Sequence, residues 1–175
     1  MKTSRRAPLL GGLLALLAAL TLFAAACTSS SSKGPAVVNE ADVYVAAIQW
    51  YVGTKAATVN TDPDPLVLYV APATGKEIDV GAQATVLGKL ASDKDHLTIR
   101  FADSRDDAIN SSDVAEAVKD DGVLLAVGGF DAGSPSVALR INVYRDKADS
   151  TSYEIHVAET AGTIAVTSSS ELAAN

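Results

Sequence analysis

One cysteine, two histidines, one tryptophan, three phenylalanines and five tyrosines are few for a 175-residue chain, and these are residue types that often carry redox, metal or stacking chemistry. A lone cysteine leaves no internal disulfide, so stability has to come from an apolar core. His96 and His156 stand far apart in sequence, without an HExxH pattern, and supply no zinc set. Few aromatics disfavour a platform that stacks sugars or bases. No Gly-x-Ser-x-Gly elbow is present, and Gly133-Ser134-Pro135 puts proline where an oxyanion amide would be needed. Gly128-Gly129 with Gly133 lacks both the spacing and the following helix of a phosphate or dinucleotide loop. The expectation is a chain with no catalytic residue set, no cofactor and no bound metal.

Basic charge is also scarce. Three of the 14 basic residues, Lys2, Arg5 and Arg6, lie at the start, which leaves 11 against 21 acidic residues, a net charge of −10 beyond them. A surface this acidic is a poor partner for nucleic acid or anionic lipid. Its plainest meaning is solubility.

What is present begins with the leader. Lys2, Arg5 and Arg6 precede an apolar run from Leu9 to Ala26, which ends in Ala24-Ala25-Ala26 and then Cys27. This is the tripartite layout of a secretory signal. Small residues directly before a solitary cysteine resemble the lipobox of bacterial lipoproteins, although Ala24 stands where leucine is commoner. The resemblance implies that Cys27 carries a diacylglyceryl group and becomes the mature N-terminus. Plain cleavage after Ala26 and an uncleaved spanning helix are the alternatives. All three place the rest of the chain outside the cytoplasmic membrane, with the basic end inside. Ser4-Arg5-Arg6 hints at twin-arginine export, but Pro8 occupies a position that pattern reserves for a bulky apolar residue.

The expected layout is a signal peptide over 1–26, a lipidated cysteine and flexible tether over 27–38, one domain over 39–170 and a tail over 171–175. Asn39 is placed to cap a helix whose apolar face is Tyr44, Ala47, Ile48, Tyr51 and Val52. Leu66 to Ala71 is a continuous apolar strand closed by Pro72. Ala82 to Leu90 reads as a short helix, and Leu97-Thr98-Ile99-Arg100-Phe101 as an alternating strand. A short helix over 113–119, a strand over 123–127, a hairpin of 136–145 with 152–159 and a last strand over 163–167 complete the pattern. These elements predict an α+β fold: an antiparallel sheet of five to six strands, with an N-terminal helix and one or two short helices on one face.

Val43 to Ile48, Leu66 to Pro72, Ile99 to Asp107, Val123 to Gly129 and Ser152 to Val157 together look like a family of uncharacterised secreted domains and lipoproteins of actinobacteria. That resemblance implies a similar α+β fold. It carries over no activity and no functional residues.

Two groups of residues could hold a ligand. Arg140, Asn142, Glu154 and His156 point outward on the hairpin, where Arg, Glu and His could grip an anion or a polar molecule; cross-strand pairing on a solvated face is the plainer reading. Asp103, Asp106 and Asp107 cluster after a strand, without the glycine and terminal glutamate of an EF-hand, and Arg105 among them suits internal neutralisation. The sequence therefore predicts a membrane-tethered, extracytoplasmic protein. Its expected role is a non-catalytic binding module for an envelope protein or a small ligand. A ligand- or metal-binding protein is the alternative, and a small hydrolase the more remote one.

Overall fold

The computed structural model describes residues 37–56, 65–91 and 96–173. Asn39 starts the fold: its side chain accepts a hydrogen bond from the Asp42 backbone N–H at 3.0 Å and caps helix α1, Glu40–Thr54. This satisfies one of the donors that a helix start leaves open. Ala41 to Ile48 and Tyr51 are all buried, so apolar residues surround most of the first turns. Such a helix needs partners on several sides. It packs against α2 (Val80–Lys89) and against strands β5 (Ser150–Thr160) and β6 (Thr163–Leu172).

Strand β1, Leu66–Pro72, lies between β2 (Leu97–Phe101) and β3 (Val123–Val127) and is parallel to both. Beyond β3 the sheet continues antiparallel through β4 (Ser136–Tyr144), β5 and β6, giving the order β2-β1-β3-β4-β5-β6. The sheet is thus mixed, which corrects the expected antiparallel one. The reason lies in the connections. Residues 73–96, with α2 among them, and residues 102–122 are long enough to return the chain to the same end of the sheet, as parallel pairing requires. The unbroken apolar run of β1 is the mark of a strand covered on both faces.

Both faces are indeed covered there. Leu68 and Val70 join the main core with α1, α2 and the inner residues Leu125, Ile141 and Ile155. Tyr69 and Ala71, one pleat over, join a second cluster with Leu124, Ala126, Tyr144, Ile109, Val118 and Ala108 of helix α3 (Arg105–Ala108). Helices α1 and α2 thus contribute to the main core, and Ala108 of α3 to the second cluster. Each fully buried leucine or isoleucine of the main core contributes about 1.5–3 kcal/mol.

Two further departures have local causes. Residues 113–115 form turns and Val118 an isolated bridge with Ile109, not a helix. The Asp113 carboxylate accepts from the Ala115 N–H at 3.1 Å, and Asn110 N–H donates to the Ala117 carbonyl at 2.9 Å. These bonds compete with helical ones. Strand β6 runs to Leu172, five residues beyond the expected end and into the expected tail, because Ser168, Ser169 and Ser170 find partners in His156, Ile155 and Glu154. Among the described residues, no helix is long and apolar enough to cross a membrane.

Candidate functional site

Cys27 lies outside the described residues. The four outward hairpin residues do share one face. Arg140 stands opposite Glu154, Ala138 opposite His156 and Asn142 opposite Ser152. Yet Arg140 and Glu154 form no ion pair. The His156 Nε2 approaches the Glu154 carboxylate at 3.7 Å, and Asn142 donates to the Ser150 and Ser152 hydroxyls at 3.1 Å each. Arg140 has no side-chain partner among the described residues. It lines two open depressions: one of about 650 Å³ with Ser152 and Leu172, and one of about 460 Å³ with Glu154, Thr74 and Gly129.

The acidic loop is spent on its own helix. Asp106 and Asp107 sit in the first turn of α3, where the exposed N–H groups favour negative charge. Ser104 donates to Asp107 at 2.7 Å, and the Lys119 ammonium donates to the Asp107 carbonyl at 2.6 Å. Arg105 does not neutralise this cluster. Its guanidinium stacks over the Tyr144 ring at 4.5 Å and approaches Glu116 at 3.9 Å. Among the described residues, no three His, Cys, Asp or Glu side chains converge closely enough to hold a metal ion.

A different place gathers chemistry. At the carboxyl ends of β1 and β3, against the start of α1, a crevice of about 310 Å³ is lined by Glu40, Tyr44, Thr74, Lys76, Glu77, Gly128, Gly129, Phe130 and Asp131, among others. Ligands of open sheets with parallel strands settle outside strand carboxyl ends, where the backbone diverges and leaves room. Here β1 leaves through Ala73, whose N–H is held by the Val127 carbonyl at 2.7 Å. Strand β3 leaves through Gly128-Gly129 toward β4. Gly128 has to be glycine, since a Cβ there would stand 2.9 Å from the Arg140 backbone oxygen. Gly129 has open space, with Thr74 Oγ1 the nearest atom at 3.8 Å.

Tyr44 is the unusual member. It is only 4% exposed, lines the crevice, and its hydroxyl has no hydrogen-bond partner among the described residues. Its ring meets Phe130 edge to face at 5.9 Å. Burial, reinforced by the Glu40 carboxylate one helical turn earlier, pushes the Tyr44 hydroxyl up to about 12. The group is therefore a neutral phenol at physiological pH, able to donate or accept.

From the sequence, Tyr44 belongs to the apolar face of its helix, and Gly128-Gly129 forms no phosphate or dinucleotide loop. The missing signal was parallel pairing: two apolar strands that each end in Pro or Gly, on one end of a sheet, mark a shared crevice. No protein-family model matches the chain, and no curated protein or solved structure matches it either.

Proposed function

We propose that this chain is a non-catalytic binding module, held on the outer face of a bacterial cytoplasmic membrane by a lipidated Cys27, and that it receives a small ligand in the crevice between Tyr44, Gly129 and Asp131. The observation that carries the binding reading is the Tyr44 hydroxyl, which opens onto the crevice from an otherwise buried residue and has no hydrogen-bond partner among the described residues. A phenol held in place at the wall of a crevice is free to bond a ligand there without first breaking a bond to the protein. The raised Tyr44 suits a fixed hydrogen-bonding group better than a base. The leader, with Ala24-Ala25-Ala26 before Cys27, supports the address.

A second reading rests on Arg140, the guanidinium without a side-chain partner on the open β4–β5–β6 face, and would put a polar ligand or an envelope protein there. Titrating the ¹⁵N-labelled chain with a chemically mixed set of small molecules separates the two. Saturable shifts at Thr74, Gly128 and Gly129 support the crevice, and shifts centred on Asn142 and Ser152 support the open face. A set that moves neither group speaks against both. The address is tested by Cys27→Ser: the wild type should gain the mass of acyl chains and sediment with membranes, and the variant should do neither. Equal, unmodified masses in the medium would remove the anchor.

A further inference from the structure

We infer that the crevice takes an organic cation, an ammonium or guanidinium head on a short apolar stem. This rests on the reading of the crevice as a ligand site and names the ligand's class. Three carboxylates, Glu40, Glu77 and Asp131, line it against one ammonium, Lys76. None of these four has an ion-pair partner among the described residues, whereas Asp42, Glu116, Asp120, Asp149 and Glu154 elsewhere are each paired. The lining thus presents a net charge of about −2 to whatever enters, which repels anions and attracts cations.

The remaining lining selects among cations. The carboxylates do not converge as metal ligands do, so a compact divalent ion finds no coordination shell. A larger, diffuse cation suits the spread. Tyr44 and Phe130, packed edge to face at 5.9 Å, add ring surface of the kind that attracts ammonium and guanidinium groups. The Tyr44 hydroxyl, unpartnered among the described residues and open to the crevice at the end of a side chain otherwise buried, offers an oxygen to an N–H⁺ donor. At about 310 Å³ the space holds roughly ten water-sized groups at ~30 Å³ each, enough for a head and a short stem.

The test uses the full ¹⁵N-labelled chain in a mild detergent at low ionic strength. The probes are n-butylammonium, n-butylguanidinium and an acetylated Gly-Lys-Gly amide, with n-butyrate and 1-butanol as the anionic and neutral controls. The cations are expected to shift the Thr74, Gly128 and Gly129 amides saturably. Neutralising the three carboxylates together (Glu40→Gln, Glu77→Gln, Asp131→Asn) is expected to weaken that binding about tenfold. Tyr44→Phe, which keeps the ring packing, is expected to weaken it several-fold. A lysine peptide that binds tighter than butylammonium assigns the head to a peptide side chain, and the reverse order assigns it to a free amine; both outcomes support a cation. If butyrate or butanol moves these amides and the cations do not, the cation class is overturned while the crevice remains a ligand site. If none of the five probes moves them, both readings fall.

Discussion

The Tyr69 hydroxyl on β1 donates to the Asp120 carboxylate at 2.6 Å, joining residues 51 positions apart. Arg100 on β2 completes the triangle, donating to the Tyr69 oxygen at 2.9 Å and pairing with Asp120. Asp120 takes up this place with φ of 56°, a left-handed conformation that Asp and Asn tolerate better than most residues. The triangle pins the 3-10 turn Lys119–Asp121 over the parallel half of the sheet just before β3 begins.

The hydrogen bond from Tyr69, then the charge of Arg100, hold the Asp120 carboxyl below its ordinary value of 3.8. A depressed folded-state value means stability that is present above the unfolded value and is lost as pH falls through the folded one. Asp120→Asn keeps the backbone conformation and removes the charge. The urea midpoint of the variant should lie below that of the wild type at pH 7, and the gap should close as pH drops from about 4 toward 2. A gap that stays constant over this range would remove the carboxylate from the account.

Tyr44 acts at the other end of the scale. Its hydroxyl is raised from 10.0 to about 12 by burial, so the folded state keeps a proton that the unfolded chain releases. Stability from this group is complete below pH 10 and is lost as pH rises through 12. Tyr44→Phe should flatten the alkaline limb of the stability curve, leaving the smaller contributions of Tyr51 and Tyr69, which are raised as well. Chemical denaturation between pH 9 and 12 would read this directly, and an unchanged limb in the variant would contradict it.

The two neighbouring glycines should behave oppositely. Gly128→Ala drives a Cβ against the Arg140 carbonyl oxygen and disturbs the hydrogen bond from the Gly128 N–H to that same oxygen at 2.7 Å. About 1–3 kcal/mol of stability should be lost. Gly129→Ala meets open space and should stay within about 0.5 kcal/mol of the wild type. Equal midpoint shifts would mean that the close approach of β3 and β4 is not what selects glycine.

Asp42 is 9% exposed on α1 and pairs with Lys89 at the end of α2. Removing the ammonium strands a mostly buried carboxylate, so Lys89→Met should cost about 1–3 kcal/mol. The double variant Asp42→Ala with Lys89→Met should recover part of that loss. The difference between the double variant and the summed singles measures the coupling. Additive losses would reduce the pair to two independent surface residues.

Much of the fold was legible because its signals are local. Asn39 caps its helix as its side chain allows, and Leu97, Ile99 and Phe101 alternate as a strand must. Arg140 and Glu154 stand opposite each other on the outward face, as cross-strand pairing of that face allows. What failed was non-local. Whether Leu66–Pro72 pairs parallel or antiparallel depends on where residues 73–96 lead the chain, and periodicity carries no record of that. Ser168 to Ser170 form a strand because β5 offers them partners, not from their own propensity. The site suffered from the same blindness. Glu40 and Tyr44 are one helical turn apart and legible as a pair, but Glu77 and Asp131 join them only once β1 and β3 end side by side.

The sheet's two halves differ in how far apart along the chain their partners lie. Strand β4 pairs with β5 and β5 with β6, each across a turn of a few residues, whereas Leu68 on β1 must find Ile99 on one side and Val123 on the other. Closing those longer loops costs more entropy before any contact is gained. The expected folding order therefore runs backwards along the chain. The C-terminal meander forms first and presents β3 as a template, β1 docks onto it, and β2 and α1 close the core last. Pulse-labelled hydrogen exchange should find Ile141 and Ile155 protected before Leu68 and Val70. The crevice, built from the last contacts to form, then comes into existence only in the finished molecule.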